Sequence, residues 1–325
     1  MQVVYLNVVY FVIGLLGLYL GAEWLVGGAA RVARRFGMRP LVIGLTVVAF
    51  GSSAPELLVG VVASVQAESE VVLGNVLGSN IMNIGLILGL SAIVRPLHVG
   101  MRLMSREAPL MVLVSLLVAA MMLDESLGRV DALVLLVGFV AFLAFVLRAA
   151  EQESPAVAAE YVEYESAQRG PPEDRIGRDI LLIVAGLAGL IIGAQLLVMS
   201  AVFFARLVGV SEVVIGLTVV AVGTSLPELA TCVVAALRNE SDIALGNAVG
   251  SNLFNLLSIL GVSALIRPIP VSPGLMEFEI PAMVLFAIML VPLAWHGRKL
   301  GTISGGALVI GYVIFTTLLI TRSLP

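Results

Sequence analysis

The sequence predicts an all-α integral membrane protein with ten transmembrane helices, arranged as two five-helix repeats of inverted topology. Three observations support this fold class: the composition, the number of long apolar runs and an internal repeat. Of the 325 residues, 60% are hydrophobic and 12% are charged, and the mean hydropathy is +1.09. Soluble domains are about 45–50% apolar and about 25% charged, so a soluble fold is excluded. The net charge of −4 gives no indication of nucleic-acid binding.

Ten apolar runs approach the length of about 20 residues that a membrane-spanning helix needs. No positively charged segment precedes the first run, so that run is predicted to be a retained helix and not a cleaved signal. The single cysteine, Cys232, excludes a disulfide within the chain and is expected to pack as a small apolar residue. The predicted helices cover approximately residues 3–27, 40–65, 70–94, 107–123, 130–149, 179–205, 212–237, 243–266, 277–294 and 304–321.

Lysine and arginine residues are distributed unevenly between the two sides of the predicted bundle. If the amino terminus lies outside, the inner loops hold 14 of the 18 positive side chains. Cytoplasmic loops are rich in Lys and Arg, so both termini are predicted to be outside. The acidic linker between the fifth and sixth helices, residues 151–178, is then cytoplasmic. It lacks the spaced Asp, Asn and Gly of a calcium loop and is predicted to be solvated.

The second half of the chain repeats the first at an offset of 172 residues. Residues 44–96 align with residues 216–268 without a gap, and 30 of these 53 positions are identical. Five helices per half is an odd number, so the second half must enter the membrane from the opposite side. We therefore expect a first half, residues 1–150, and a second half, residues 179–325, of inverted topology. Secondary transporters built this way bind ions near the membrane midplane, between the repeats.

Each half places a carboxylate, hydroxyl groups and a proline inside an otherwise apolar helix. The segment is Gly51–Glu56 in the first half and Gly223–Glu228 in the second. A charged side chain at membrane depth is costly and usually functional. Pro55 cannot donate a hydrogen bond to the Gly51 carbonyl, so the helix is expected to break there. Backbone oxygens freed by such a break can be satisfied by a bound cation.

Further oxygens accompany each carboxylate. Ser52 and Ser53 precede Glu56 by four and three residues, which places all three side chains on one face of a helix. The next helix adds Asn83, and Asn255 repeats it in the second half. Carboxylate, carbonyl and amide oxygens are the ligands that hard cations such as Ca²⁺ take.

The charge of this predicted site indicates which ions it would carry. Glu56 and Glu228 supply two negative charges, which match one Ca²⁺ or two Na⁺. The same pair can therefore be neutralised by either set of ions, but scarcely by both at once. The other acids near the predicted helix ends are expected to lie at the membrane interface: Glu23, Glu107, Glu277 and Glu279.

These motifs resemble the cation/calcium exchanger superfamily, most closely its sodium/calcium exchanger family in a prokaryotic form without a regulatory domain. The resemblance covers essentially the whole chain. It implies an antiporter and not an enzyme, located in the cell membrane, which exchanges several Na⁺ for one Ca²⁺ by alternating access. It implies no cofactor and no obligatory protein partner. The motifs are Gly44-Leu45-Thr46, Gly51–Glu56, Gly74-Asn75, Gly78-Ser79-Asn80 and Asn83, with their partners Gly216-Leu217-Thr218, Gly223–Glu228, Gly246-Asn247, Gly250-Ser251-Asn252 and Asn255.

The resemblance also implies roles for individual positions. Glu56 and Glu228 would be ligands shared by Ca²⁺ and Na⁺, and Asn83 and Asn255 would lie at the centre of the site. The first and sixth helices would slide past the other eight. Backbone carbonyls for Ca²⁺ would come from Ser52 and Thr224, and the flanking Na⁺ sites would be lined by Ser53, Ser79, Ser225, Ser251, Ala49 and Ala221.

Several alternatives remain open at this point. Potassium-dependent relatives carry an aspartate where this chain has Asn255, which argues against K⁺ co-transport. Proton-driven Ca²⁺ antiporters of the same superfamily carry a glutamate where this chain has Asn83 and Asn255. Another divalent ion is possible, although Mg²⁺ gives up its waters reluctantly. A cation channel is a more distant alternative. An intramembrane hydrolase is disfavoured because the sequence shows neither a nucleophile–base pair nor an HExxH motif.

Overall fold

The structure is a computed structural model that describes residues 2–151, 176–207 and 221–323. Apart from short loops and four two-residue strands, the described chain is helical. The strands are β1 (Leu97–His98), β2 (Ser126–Leu127), β3 (Ile269–Pro270) and β4 (Lys299–Leu300). The helices are α1 (Gln2–Arg35), α2 (Pro40–Ser52), α3 (Ala54–Gln66), α4 (Ser69–Val94), α5 (Leu103–Asp124), α6 (Arg129–Glu151), α7 (Ile176–Leu207), α8 (Ala221–Thr224), α9 (Leu226–Leu237), α10 (Ser241–Ile266), α11 (Pro273–Trp295) and α12 (Thr302–Ser323).

Eight of the described helices are long and apolar enough to cross a membrane, and the bent pair α2 and α3 makes a ninth span. The remaining predicted helix, residues 212–237, begins outside the described residues and continues into α8 and α9. The observed count therefore agrees approximately with the predicted ten. Most of the predicted linker, residues 151–178, also lies outside the described residues.

The internal repeat of the sequence is also present in the backbone conformation. Helix α3 begins at Ala54, and α9 begins 172 residues later at Leu226. A π-helical segment begins at Asn83 within α4, and another begins at Asn255 within α10. Wide turns of this kind are frequent at functional sites. The equivalence of the two halves thus includes the irregular features as well as the helices.

The contact between α1 and α7 shows that the two halves are inverted. A Cβ atom added at Gly14 would lie 2.9 Å from the Gly193 carbonyl oxygen, and one added at Gly21 would lie 2.8 Å from the Gly186 carbonyl oxygen. The two helices are therefore antiparallel and touch backbone to backbone, as small residues permit within membranes. Gly186 and Gly193 are the repeat equivalents of Gly14 and Gly21. Equivalent helices running in opposite directions confirm the predicted inversion.

The short strands join loops of one half to loops of the other. Strand β1 pairs antiparallel with β4, and β2 pairs antiparallel with β3. Each pair contains one strand from the first half and one from the second. The two halves are therefore connected through loops at two places, besides their contacts along the helices.

Helices α4 and α10 form the centre of the bundle. Of the residues in an apolar 18-residue stretch, 78% are buried in α4 and 83% in α10, against 17–39% in the six other long helices. The outer helices leave much of their apolar surface uncovered by protein, as expected for surfaces that face lipid. The polar motifs of α4 and α10 are therefore enclosed by the rest of the chain.

Alanine substitutions at two neighbouring glycines of α12 test the packing of this helix against α4. A Cβ atom at Gly305 would lie 2.6 Å from the Gly89 carbonyl oxygen, whereas one at Gly306 would have no described atom within 4 Å. Gly305→Ala is expected to lower the thermal unfolding temperature, because overpacking typically costs roughly 1–3 kcal/mol. Gly306→Ala should leave it unchanged or raise it, since alanine favours helix by about 1 kcal/mol. Equal unfolding temperatures for the two variants would contradict the observed packing.

Candidate metal centre

A break in the chain at Ser53 positions the first carboxylate. Helices α2 and α3 meet at an angle of 47°, and Ser53 between them has φ −83° and ψ 10°. The break has a local cause, because Pro55 lacks the N–H group that would bond to the Gly51 carbonyl. Ser225 has nearly the same backbone angles, φ −91° and ψ 8°, at the start of α9. Both predicted helix breaks are therefore present.

The two broken helices exchange hydrogen bonds between their hydroxyl groups and carboxylates. The Ser53 hydroxyl donates to Glu228 Oε1 at 2.8 Å, and the Ser225 hydroxyl donates to Glu56 Oε1 at 3.0 Å. All four side chains are at most 1% exposed. Each carboxylate is thus held by the serine of the opposite half, and both acids belong to one buried cluster.

Hydroxyl groups from the central helices extend this cluster. The Ser251 hydroxyl of α10 lies 3.0 Å from the Ser53 hydroxyl, and the Ser79 hydroxyl of α4 lies 3.3 Å from that of Ser225. Both are buried. Thr224 interacts with the Glu56 carboxyl group. Five of the predicted hydroxyl positions therefore lie in this cluster with the two acids: Ser53, Ser79, Ser225, Ser251 and Thr224.

Three more of the predicted positions lie beside the helix breaks. Ser52 donates to the Asn247 side-chain oxygen at 3.1 Å and also interacts with the Glu228 carboxyl group. The Ala49 carbonyl accepts a hydrogen bond from the Ser53 N–H at 3.0 Å. Ala221 is the first residue of α8. The motif Gly216-Leu217-Thr218, which precedes it, lies outside the described residues.

Each of the two central asparagines donates a hydrogen bond to the opposite repeat. Asn83 donates through Nδ2 to Asn252 Oδ1 at 2.9 Å, and Asn255 donates through Nδ2 to Asn80 Oδ1 at 3.1 Å. All four amides are at most 1% exposed. Because the nitrogen atoms are engaged, the side-chain oxygens of Asn83 and Asn255 are left as acceptors.

Four buried oxygens in this region have no hydrogen-bond partner among the described residues. They form two repeat-related pairs, and all four can only accept: Glu56 Oε2, Glu228 Oε2, Asn83 Oδ1 and Asn255 Oδ1. Burying an acceptor without a donor typically costs about 1–3 kcal/mol, and more for a charged group. Oxygens of this kind are the ligands that a hard cation takes. Such an all-oxygen set suits Ca²⁺ or Na⁺ and not zinc, which prefers histidine and thiolate.

The described residues contain no group of three or more His, Cys, Asp and Glu side chains that could hold a metal ion.

The residues that contact these ligands were not predicted individually from the sequence. Asn80 and Asn252 appeared only as parts of motifs, although they bond directly to the central asparagines. Cys232 is buried as expected, but it has polar contacts: Asn247 Nδ2 lies 3.3 Å from its sulfur, and the thiol lies 3.3 Å from the Ala244 carbonyl oxygen. The repeat itself was the signal for Asn80 and Asn252, since both halves carry them.

Glu107, which the sequence predicts to lie at the membrane interface, is enclosed by protein. Its side chain is fully buried, and Glu107 Oε1 accepts a hydrogen bond from Arg102 Nε at 2.9 Å. The side chain of Arg102 is itself only 7% exposed. The opposite charge of Arg102 compensates for the burial of the carboxylate, which an isolated acid could not tolerate. This ion pair lies at the start of α5.

A separate group of charges lies at one end of α1. Arg31 of α1 pairs with Asp179 of α7 at 2.5 Å, and Arg238, which follows α9, pairs with Glu23 of α1. A cavity of about 320 Å³ beside these pairs is lined partly by Arg31, Arg34 and Arg238. The pairs connect three helices outside the buried centre.

Comparisons with known proteins agree with this architecture. A sequence profile described as "Sodium/calcium exchanger protein" matches residues 6–148 and 179–321. The chain is 41% identical over 263 residues to the putative antiporter CaxA of Alkalimonas amylolytica, a match that covers 80% of this chain and 81% of that protein. It is 37% identical to the inner membrane protein YrbG of Escherichia coli K12, with 92% and 93% covered. It is 32% identical to the sodium/calcium exchanger MaX1 of Methanosarcina acetivorans, with 96% and 98% covered.

Solved structures of one exchanger share the whole fold. A structure of the sodium-calcium exchanger NCX_Mj, soaked with Na⁺ and Sr²⁺, superposes with a TM-score of 0.84 at 33% identity, covering 97% of this chain and 98% of that one. The superposition covers both halves of the chain, and the sequence profile also matches both. The chain therefore belongs to the sodium/calcium exchanger protein family.

Proposed function

We propose that this protein is a secondary active antiporter that exchanges Na⁺ for Ca²⁺ across the cell membrane by alternating access. One observation carries the proposal: four buried oxygens, two of them from carboxylates, have no donor among the described residues. The relatives named as sodium/calcium exchangers, MaX1 and NCX_Mj, support the choice of ions. The transported ions are substrates, and the proposal requires no cofactor and no enzymatic step.

The ion ligands in this proposal come from both repeats. Glu56 and Glu228 are shared by the two kinds of ion, and the amide oxygens of Asn83 and Asn255 complete the centre. The other ligands are hydroxyl and backbone oxygens of Ser52, Ser53, Ser79, Ser225, Ser251, Thr224, Ala49 and Ala221. The hydrogen bonds between opposite halves support this set, because they bring the two carboxylates into one buried cluster.

Exchange follows from the charge of this cluster. Two carboxylates are neutralised by one Ca²⁺ or by two Na⁺, and a buried uncompensated charge is unfavourable in either direction. Loading one ion species therefore displaces the other, and the unloaded pair is the state least able to change conformation. Additional Na⁺ bound at the neutral hydroxyl groups would make the exchange electrogenic.

Alternating access in this proposal uses α1 and α7 as one moving body. The two helices touch backbone to backbone at Gly14, Gly21, Gly186 and Gly193. Their outer surfaces face lipid, where sliding breaks few specific contacts. Movement of the pair past α2, α3, α8 and α9 would open the centre first to one side and then to the other.

The proposed arrangement in the membrane has both termini outside and the linker, residues 151–178, in the cytoplasm. It divides the chain into residues 1–150 and 179–325, with the repeats at residues 44–96 and 216–268. The pairing of strands supports the grouping of the loops into two sides, because β1 and β4 both come from loops predicted to be inside, and β2 and β3 both come from loops predicted to be outside. The excess of Lys and Arg in the first group of loops supports the choice of that side as the cytoplasmic one.

Ion uptake into proteoliposomes tests the proposed function. Vesicles loaded with Na⁺ and diluted into Na⁺-free medium should accumulate Ca²⁺, whereas vesicles without a Na⁺ gradient should not. Export of several Na⁺ for each Ca²⁺ moves net positive charge out of the vesicle. An inside-positive potential, set with K⁺ and valinomycin, should therefore speed the Na⁺-driven uptake. Slower uptake would mean that net positive charge enters. Uptake driven by a pH gradient without Na⁺ would instead identify a proton antiporter, and uptake driven by Ca²⁺ alone would identify a channel.

A further inference from the structure

We propose that Asn80 and Asn252 are positioning residues: each holds the central asparagine of the opposite repeat with its side-chain oxygen available to the transported ion. This inference rests on the proposed function, and it assigns that site's specificity for cations to two residues that do not themselves bind the ion. It is based on the directions of the hydrogen bonds among the buried amides.

An amide can bind a cation only through its oxygen. Asn255 has two possible orientations that differ by exchanging Oδ1 and Nδ2. In the observed one, Nδ2 donates to Asn80 Oδ1 at 3.1 Å and Oδ1 has no donor. In the flipped one, two oxygens would face each other and the NH₂ group would point to the place of the cation. Asn80 therefore selects the orientation that a cation requires.

The second half repeats this arrangement in reverse. Asn83 Nδ2 donates to Asn252 Oδ1 at 2.9 Å, and Asn83 Oδ1 has no donor. Each repeat thus orients the ligand of the other.

Methionine sulfur atoms fix the orientation of the two positioning residues in turn. Asn80 Nδ2 lies 3.8 Å from the Met283 sulfur, and Asn252 Nδ2 lies 3.6 Å from the Met111 sulfur and 3.2 Å from the Asn80 carbonyl oxygen. A thioether can accept a hydrogen bond but cannot donate one. The nitrogen of each positioning residue must therefore face the sulfur, and its oxygen must face the central asparagine.

The result is two one-way series of hydrogen bonds, each of which crosses between the halves. Donation runs from Asn255 through Asn80 to the Met283 sulfur, and from Asn83 through Asn252 to the Met111 sulfur, so the amide oxygens of Asn255 and Asn83 have no donor. The two series add no charge to the membrane interior, yet they leave the centre with acceptors only. Partners of metal ligands typically account for a 10- to 100-fold effect on metal affinity when they are removed.

The test is Ca²⁺ binding to purified protein in detergent, measured by equilibrium dialysis with ⁴⁵Ca²⁺. Asn80→Ala removes the acceptor for Asn255 Nδ2 and should weaken binding about 10- to 100-fold. Asn80→Asp keeps an acceptor there and should bind Ca²⁺ at least as tightly as the unsubstituted protein. If Asn80 had only a structural role, Asn80→Asp would bind Ca²⁺ more weakly than Asn80→Ala, because a buried extra charge is more disruptive than a small cavity. Asn252→Ala and Asn252→Asp form the symmetric pair.

Ser64→Ala is the matched control. Ser64 is 4% exposed and donates to the Gly60 carbonyl oxygen of its own helix at 2.8 Å, so its removal deletes a buried hydrogen bond away from the centre. Its Ca²⁺ affinity should be unchanged. Should Asn80→Ala fail to fold, Asn80→Asp decides alone: preserved binding supports the inference, and lost binding in a folded variant overturns it.

The outcomes separate this inference from the proposed function. If the unsubstituted protein binds Ca²⁺ but shows no Na⁺-driven uptake, the exchange function fails while the binding series still tests the positioning role. If Asn80→Ala and Asn252→Ala both bind Ca²⁺ as tightly as the unsubstituted protein, the positioning role is overturned and the exchange function stands. Absence of Ca²⁺ binding in the unsubstituted protein would overturn both.

Discussion

Replacing Glu56 or Glu228 by glutamine is expected to abolish Ca²⁺ binding and Na⁺-driven uptake while the protein stays folded. Glutamine keeps the size of the side chain and an oxygen that can accept from Ser225 or Ser53. It removes one of the two charges that balance the cation, and a divalent ion would then be buried with an uncompensated positive charge. Uptake should therefore fall to the background of empty vesicles.

Thermal unfolding distinguishes loss of binding from loss of folding. Without Ca²⁺, each variant should unfold at the same temperature as the unsubstituted protein or higher, because a buried carboxylate with an unpartnered oxygen has been neutralised. A ligand present at 100 times its Kd stabilises a protein by about 2.7 kcal/mol. Added Ca²⁺ should therefore raise the unfolding temperature of the unsubstituted protein and leave that of the variants unchanged.

Glu70→Gln is the control for this pair. Glu70 lies in the first turn of α4 and is exposed, so its substitution removes the same charge from the surface. Its uptake and its response to Ca²⁺ should match those of the unsubstituted protein. Retained Na⁺-driven uptake in either Glu56→Gln or Glu228→Gln would remove the basis for the proposed ligands.

Valine at Gly186 is expected to destabilise the contact between α1 and α7 and to suppress transport. A Cβ atom there would lie 2.6 Å from the Leu25 nitrogen and 2.7 Å from the Gly21 carbonyl oxygen. Both atoms belong to the backbone, so no side chain can move aside and the two helices must separate. Overpacking of this kind typically costs roughly 1–3 kcal/mol, and a backbone contact belongs at the upper end of that range.

The measurement combines thermal unfolding with the initial rate of Na⁺-driven uptake, normalised to folded protein. Gly186→Val should unfold at a lower temperature and transport at least tenfold more slowly. Gly177→Val lies on the same helix at a position where a Cβ atom meets no described atom within 4 Å, and it should behave like the unsubstituted protein. Normal stability and rate for Gly186→Val would show that α1 and α7 need not move as one body.

The sequence was sufficient to predict the repeat, the inversion and the two helix breaks. The reason is that these features have local or symmetric causes. Pro55 and Pro227 break their helices through their own geometry, and an odd number of helices per half dictates inversion. Because the repeat has a constant offset of 172 residues, each feature predicted in the first half also predicts an equivalent in the second, including Ser225 and Asn255.

The hydrogen bonds between the halves could not be predicted in this way. That Ser53 binds Glu228, and not Glu56 three residues away on its own chain segment, depends on how the two broken helices cross. The orientation of the buried amides depends on Met111 and Met283, which lie on other helices. No periodicity within one helix contains this information.

The buried pair of Arg102 and Glu107 was missed because the helix was predicted to begin at residue 107, which left Arg102 in a loop. Residues five apart lie on different faces of an α-helix, which has 3.6 residues per turn. The segment Leu103–Glu107 is a π-helix, whose hydrogen bonds connect residues five apart. The wider turn returns Glu107 to the side of Arg102, and the two side chains form a buried ion pair.

The central claim is that Glu56 and Glu228, one from each inverted repeat, hold the same ion. Anomalous diffraction from crystals soaked in Ca²⁺ and then in Na⁺ tests it most directly. We expect one Ca²⁺ peak between the two carboxylates, about 2.3–2.6 Å from an oxygen of each, which disappears when Na⁺ replaces Ca²⁺. A Ca²⁺ peak that contacts neither carboxylate, or only one of them, would contradict the claim.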